Sequence, residues 1–370
     1  MDFTFTEEQE TISKVARGLF DRRATPERLT ELEAGETRYD AALWKELAAL
    51  DLLGAGLPES VGGSCVSGDG FVELGVLLAE VGWSVAPAPV YATLVLGADP
   101  IARHGSQEQQ QRFLPGVIGG TRILSAGLQE PGRSDPMNPC TKAFRDGTKW
   151  RLDGTKELVP AAQLADTVVV PATTDDGDVS LFLLPCDARG VEIRPVATTN
   201  HEPHADVFLD GAIVSDDDRL DGPIESLYTR ALIGLCAIQL GVAERALQIA
   251  AEYTTGREQF GRPIGSFQAV QQRLADAFID VEAIRWTTWH AAWLTANGRP
   301  LKEARRAARI AKFWAADAGA RVASAAQQVH GGIGIDITYP LHRYFLWAKH
   351  NELSLGCATA QLAGIGSTYT

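Results

Sequence analysis

The sequence TTGREQFGRPIGSFQAVQ, residues 254–271, connects two long helical segments and determines how the rest of the chain is interpreted. Residues 227–253 before it and 268–297 after it repeat small and apolar side chains at helical spacing. A connection between two helices rarely needs two arginines, an aromatic ring and several amides. The 254–271 connection is therefore a candidate binding element as well as a turn.

Arg257 and Phe260 are the side chains in this connection most suited to a ligand. A guanidinium binds a pyrophosphate or carboxylate through two hydrogen bonds, and an aromatic ring packs against a flat ring. Gly261 allows close approach of the backbone. The alternative is a structural one, in which Gly256 caps the helix and Arg257 stabilises its dipole. The residues leave both interpretations open.

The chain divides into three blocks of different character. Amphipathic helical patterns dominate residues 1–122, short Val-, Ile- and Leu-rich segments separated by Gly, Asp and Pro dominate 123–222, and long helical patterns return over 223–370. Strands do not alternate with helices, which argues against a doubly wound sheet. We predict an α+β protein with an N-terminal helical domain, a middle β-domain and a C-terminal four-helix bundle. The predicted bundle helices are 227–253, 268–297, 301–329 and 341–363.

Composition excludes several classes of function. The 370 residues have a net charge of −13, which argues against nucleic acid or an anionic membrane as a partner. The five cysteines are scattered without CxxC spacing, so we expect no disulfide framework and no metal site. The N-terminus has no apolar signal core, and we predict a cytoplasmic protein. No glycine-rich dinucleotide or P-loop motif occurs.

Two further clusters combine glycines with polar groups. QVHGGIG at 328–334 follows a predicted bundle helix, and its glycines allow backbone approach with Gln328 as an amide partner. GLQEPGRSD at 127–135 follows a predicted strand. The alternatives are a helix stop for the first cluster and a solvated turn for the second.

Together with YPLHRYF at 339–345, these three clusters resemble the acyl-CoA dehydrogenase family, and the resemblance extends nearly end to end. It implies FAD-dependent α,β-dehydrogenation of an acyl-CoA thioester, in which a carboxylate removes the α-proton. It also implies that the connection and the 328–334 cluster bind the FAD of a neighbouring subunit. By resemblance the FAD-binding residues are Arg257, Gln259, Phe260, Gln328, Gly331 and Gly332.

The family's catalytic base is absent from its usual positions. One is a glutamate about 16 residues after the tyrosine that matches Tyr339, and here that position is Leu355. The other lies near Ala231 and Leu232, which are also apolar. Leucine and alanine cannot accept a proton. Glu352 lies three residues from the first position and is the candidate for a displaced base.

The two segments that would bind a flavin within the same chain also depart from the family pattern. The Thr-Glu-Pro loop is here Gln129-Glu130-Pro131, and the Lys-x-Trp-Ile-Thr strand is Lys156 to Pro160. Proline at 160 offers neither a hydroxyl nor a backbone N–H. These departures resemble the base-less subunit of the α2β2 acyl-CoA dehydrogenases of actinobacterial sterol side-chain degradation.

That resemblance implies a base-bearing homologous partner subunit, a steroid side-chain CoA thioester as substrate and an electron-transfer flavoprotein as acceptor. Two alternatives remain. One is a self-sufficient homo-oligomeric dehydrogenase with a displaced base. The other is a flavin-free structural or regulatory protein on the same fold.

Overall fold

The first part of the chain is helical, as predicted. The computed structural model describes residues 4–65, 69–133 and 135–367. Thr6 begins the first helix with a capping box, in which its side chain accepts from Gln9 N–H and the Gln9 side chain accepts from Thr6 N–H. The α-helices of this part are α1 (Glu7–Arg23), α2 (Pro26–Glu33), α3 (Ala41–Ala49), α4 (Phe71–Ser84), α5 (Asp99–His104) and α6 (Gln107–Ile118). A π-helical segment, Tyr91–Ala98, leads directly into α5.

The middle of the chain forms one mixed sheet. Its strands are β1 (Leu124–Ala126), β2 (Lys142–Asp146), β3 (Lys149–Pro160), β4 (Thr167–Thr174), β5 (Val179–Pro185), β6 (Val191–Val196), β7 (His204–Ser215) and β8 (Arg219–Leu220). The order is β6-β7-β3-β2-β4-β5-β8, and β1 pairs with β4 in parallel. Strand β2 was not predicted, because four of its five side chains are exposed and three are charged.

A β-bulge near the C-terminal end of β3 changes the direction of the side chains there. The pairing with β7 shifts between Lys156 and Val159. Leu158 lies in the bulge with φ +50° and donates its N–H to Asp206 Oδ1 at 3.0 Å. Lys156 consequently points into the protein, while Leu158 lines a cavity described below.

The C-terminal part is a helical bundle. Its elements are α7 (Ile224–Gly256), β9 (Glu258–Gln259), β10 (Arg262–Pro263), α8 (Gln268–Ala296), α9 (Leu301–His330), α10 (Leu341–Leu353) and α11 (Ala358–Gly366). The prediction of a single helix over 341–363 was wrong. Leu355 at φ +53° and Gly356 at φ +96° adopt left-handed conformations that separate α10 from α11.

Helix α7 is the central helix of the protein. It has the length and apolar character of a membrane span, but 78% of its most apolar window is buried within the fold. The backbones of α7 and α4 come into direct contact at two glycines, Gly241 on α7 and Gly82 on α4. A Cβ at Gly241 would lie 1.9 Å from the Ala79 carbonyl oxygen, and one at Gly82 would lie 2.0 Å from that of Ile238. Only glycine permits this crossing, which holds the N-terminal helices against the bundle.

Candidate functional site

An aromatic cluster brings the 254–271 connection and the 328–334 cluster to the same end of the bundle. Tyr253, on the last turn of α7, stacks on His330, on the last turn of α9, with 4.3 Å between ring centroids. His330 Nδ1 donates to the Ala326 carbonyl at 2.7 Å, so Nε2 accepts from Tyr339 Oη at 3.2 Å. Burial lowers the pKa of His330 and favours this neutral form.

The connection itself is a short hairpin that projects from the protein surface. Phe260 and Gly261 form its turn at φ +55° and +78°, the geometry of a type I′ turn. The left-handed conformation is unfavourable for a phenylalanine, yet this residue is 92% exposed, and its ring lies edge-on to Phe267 with centroids 6.1 Å apart. A strained and exposed aromatic residue of this kind indicates a surface that something else covers.

Arg257 lies at the base of the hairpin and is exposed. Its N–H donates to the Tyr253 carbonyl, and its carbonyl accepts from Ile264 N–H, both at 2.8 Å. Within residues 4–65, 69–133 and 135–367, no carboxylate lies within 4.0 Å of its guanidinium. Gly256 is the last helical residue and Arg257 is the C-cap, so the helix ends one residue later than the interpretation of Gly256 as the cap expected. The guanidinium is available to an external anion.

The glycines after α9 leave open space above the backbone. Gly331 has φ +64° and ψ −140°, a conformation that essentially only glycine adopts. A Cβ at Gly331 or Gly332 would meet no atom within 4 Å. Gln328 is exposed beside them, and Ile335 and Ile337 after them are 68% and 76% exposed. Open backbone, an amide and a free guanidinium are groups that suit a phosphate-bearing ligand.

A separate cavity of about 280 Å³ lies between the sheet and the C-terminal helices. Its lining is mostly apolar and includes Leu96, Leu128, Leu158, Pro160, Leu235, Ile238 and Leu355. Leu355, the predicted position of the family's base, is 6% exposed and forms part of the wall. Ala231 and Leu232 are fully buried within α7, and neither reaches the cavity.

The carboxylates near this cavity are not those that the sequence suggested. Glu352, the candidate for a displaced base, does not line the cavity, because its side chain pairs with Lys349. Glu157 and Glu202 do line it. Sequence reasoning missed Glu202 because the residue lies in a polar stretch, NHEPH at 200–204, and no local pattern shows that tertiary packing encloses it.

The loop 127–133 has a structural role that neither sequence interpretation included. Glu130 is buried and accepts hydrogen bonds from Lys156 Nζ at 2.6 Å and from Thr141 Oγ1 at 2.6 Å. Burial tends to raise the pKa of Glu130, but Lys156 and these hydrogen bonds outweigh it and the pKa is lowered. Gln129 lines the cavity. Ser134, in the same predicted cluster, lies outside the described residues.

Comparison with known proteins identifies the family. The N-terminal, middle and C-terminal domains of acyl-CoA dehydrogenases match residues 6–121, 126–211 and 227–369. Acyl-CoA dehydrogenase FadE27 of Mycobacterium tuberculosis is 40% identical over 99% of this chain and 98% of its own.

Two solved structures are similar over nearly the whole length. One is the ChsE4-ChsE5 complex from Mycobacterium tuberculosis, at 40% identity and a TM-score of 0.93, covering 100% of this chain and 99% of that one. The other is a variant of the Tcur3481-Tcur3483 steroid ACAD, at 42% identity and a TM-score of 0.92, covering 98% of each chain. The predicted fold class is confirmed, and the chain belongs to the acyl-CoA dehydrogenase family, whose members use FAD.

Proposed function

We propose that this protein is the base-less subunit of a hetero-oligomeric acyl-CoA dehydrogenase. It completes the FAD site of a homologous subunit that supplies the catalytic carboxylate. The observation that supports this most directly is the separation of two features in one chain. The exposed hairpin and the open glycines suit a cofactor outside the chain, whereas an apolar Leu355 lies at the predicted base position inside it.

The role of each residue follows from its position. FAD, when bound, supplies hydride acceptance from the acyl β-carbon. Arg257 neutralises phosphate charge at the hairpin, and Phe260 covers an apolar part of the cofactor. Gly331 and Gly332 allow the backbone to approach it, and the Gln328 amide donates a hydrogen bond. The remaining assigned residue, Gln259, is exposed on the same hairpin, with its amide turned back to the Glu258 carbonyl at 2.9 Å.

The partner, substrate and acceptor belong to the same proposal. Two of the similar structures are named as two-component complexes, and one of them as a steroid ACAD. These names favour an α2β2 assembly acting on a steroid side-chain CoA thioester, with an electron-transfer flavoprotein as acceptor, in the cytoplasm. We retain the domain limits 1–122, 123–222 and 223–370 as part of the proposal.

Co-expression tests this function. The partner chain is a homologue that has glutamate at the position equivalent to Leu355 or to Ala231 and Leu232. We expect the pair to purify as a yellow complex that turns over acyl-CoA. Arg257→Ala in this chain should lower FAD retention and turnover about tenfold or more, as expected for loss of a charge-assisted hydrogen bond. Arg299→Ala, at the opposite end of α8, is the matched control and should change neither quantity.

A self-sufficient enzyme remains the second candidate, because Glu157 and Glu202 line the chain's own cavity. Glu202→Gln and Glu157→Gln in the purified single chain distinguish it. If the single chain turns over acyl-CoA and either variant abolishes turnover, the proposal of a base-less subunit is wrong.

A further inference from the structure

A contact between two side chains closes the loop between α9 and α10. This loop, residues 331–338, runs from His330 at the end of α9 to Tyr339 just before α10. His330 Nε2 lies 3.2 Å from Tyr339 Oη. Two turns lead the chain back to this contact, since Asp336 N–H donates to the Ile333 carbonyl at 3.2 Å and Tyr339 N–H donates to the Asp336 carbonyl at 3.0 Å. The contact therefore fixes both ends of the loop that carries the two open glycines.

The same histidine joins this loop to the helix that carries the hairpin. The rings of His330 and Tyr253 stack with 4.3 Å between centroids and 19° between their planes. The backbone carbonyl of Tyr253 accepts the Arg257 N–H at 2.8 Å, at the base of the hairpin. The His330 ring is thus in contact with both elements of the proposed cofactor site.

Packing and hydrogen bonding fix the position of the His330 ring. The residue is only 4% exposed. Gly334 in the loop covers it so closely that a Cβ at this glycine would lie 3.2 Å from His330 Cβ. On the other side, Nδ1 donates to the Ala326 carbonyl at 2.7 Å. The ring therefore cannot turn without moving the loop or α7.

This arrangement suits the neutral ring. A backbone carbonyl can only accept, so Nδ1 carries the proton and the lone pair of Nε2 accepts the Tyr339 hydroxyl. Protonation would place a hydrogen on Nε2 opposite that of the hydroxyl, and the hydroxyl would have to turn away. Burial lowers the pKa of His330, against the opposing effect of the hydrogen bond to Ala326.

The surroundings offer the protonated ring no counter-ion. The titratable groups on the elements packed against it are Tyr253, Glu252 and Arg245 on α7, and Asp336, Tyr339 and His342 on the segment that leads into α10. Glu252 and Arg245 have opposite effects on the pKa of Tyr339. The Asp336 carboxylate accepts from Thr338 Oγ1 at 2.8 Å. In the described residues, no carboxylate lies within 4.0 Å of the His330 ring.

We propose that His330 is a positioning residue for the cofactor site, whose neutral ring holds the glycine loop and the hairpin at a fixed spacing and whose protonation releases both. This inference rests on the proposed function, and His330 itself acts through its neighbours. When the loop opens, water reaches the ring and its pKa returns towards 6.5. The stability of the closed arrangement is therefore complete above pH 6.5 and is lost as pH falls below it.

FAD affinity of the complex with the base-bearing partner tests the role of the contact, with released FAD measured by its fluorescence. At about pH 7.5, Tyr339→Phe should weaken FAD binding about two- to tenfold, the factor that corresponds to one hydrogen bond of ordinary net strength. His330→Phe keeps a flat ring on Tyr253 and loses the same bond, so it should weaken FAD to a similar degree, and the double variant should lose no more. His290→Phe, at an exposed position on α8, is the matched control and should change nothing.

The pH profile separates this role from simple packing. Wild-type affinity for FAD should be lower at about pH 5.5 than at about pH 7.5, and His330→Phe should remove this difference. Tyr339→Phe takes a hydrogen bond from the neutral ring, which raises the pKa of His330, so the loss should begin at a higher pH than in the wild type. A profile that is the same in His330→Phe and the wild type would overturn the proposal.

Hydrogen exchange in the complex freed of FAD gives a readout that does not depend on the cofactor. His330→Ala should speed amide exchange both in peptides covering 328–339 and in peptides covering 254–264, and Tyr339→Phe, which preserves the fold, should do so to a smaller extent. An increase confined to 328–339 would overturn the coupling. FAD affinity that falls with Arg257→Ala but not with Tyr339→Phe or His330→Phe would overturn this inference and leave the proposed function intact. FAD affinity that ignores Arg257→Ala would overturn the proposed function, and exchange alone would then decide the coupling.

Discussion

Replacement of Glu202 by glutamine should stabilise the protein at alkaline pH and have little effect at acidic pH. Burial raises the pKa of Glu202 from 4.5 to about 7, against the opposing influence of Arg38 and the hydrogen bond from Asn200. A raised pKa means that the folded state favours the protonated carboxyl. The stability that this preference contributes is complete below pH 4.5 and is lost as pH rises through about 7.

The magnitude follows from the separation of the two pKa values. Each pH unit between them corresponds to about 1.4 kcal/mol, so ionisation in the folded state costs on the order of 3 kcal/mol well above pH 7. Glutamine has nearly the same shape and cannot ionise. The free energy of unfolding of Glu202→Gln should therefore exceed that of the wild type by about 3 kcal/mol near pH 9, and the difference should vanish near pH 4.5.

Urea denaturation followed by circular dichroism at several pH values measures this difference. Glu36→Gln, at an exposed position between α2 and α3, is the control, and its difference from the wild type should not change with pH. The reasoning is refuted if Glu202→Gln gives the same difference at all pH values, or destabilises the protein most strongly at alkaline pH.

Two other variants test further parts of the account. Lys156→Met leaves the Glu130 carboxylate buried without its cation and should lower the free energy of unfolding by about 3–5 kcal/mol. The double variant with Glu130→Gln should regain part of this loss. Strictly additive losses in urea denaturation would show that the two residues do not act as a pair. Gly331→Ala puts a side chain on an unfavourable backbone conformation, and should cost about 1–3 kcal/mol in thermal unfolding and lower FAD retention in the assembled complex. The control is Gly366→Ala on α11, where a Cβ would also meet no neighbour, and it should change FAD retention little. Equal FAD retention by Gly331→Ala and the wild type would argue against a cofactor at this turn.

The helices and most strands were predictable because local rules determine them. The Thr6 capping box and the long helices 227–253, 268–297 and 301–329 agree with the structure to within a few residues. Strand β2 escaped prediction because it has no apolar pattern, although it forms a hairpin with the following strand β3 across the two-residue turn at 147–148.

The site was only partly predictable, because parts of it depend on contacts between segments that are distant in sequence. The exposure of Phe260 and the open space above Gly331 agree with what the motifs suggested. The interruption at Leu355, which places this residue in the cavity wall, depends on two left-handed residues that no periodicity reveals. The environment of Arg38 and Glu202 arises from several segments that are distant in sequence and meet in the folded chain, so their neighbours in sequence contain no sign of it.

The central claim is that this chain contributes to a cofactor site without forming one alone. The most direct measurement is the FAD content per polypeptide, by absorbance and protein concentration, of the purified single chain and of the complex with its base-bearing partner. The account predicts almost no FAD and no acyl-CoA turnover for the single chain, and one FAD per pair of chains with turnover for the complex. A single chain that purifies with one FAD per polypeptide and turns over acyl-CoA would contradict it.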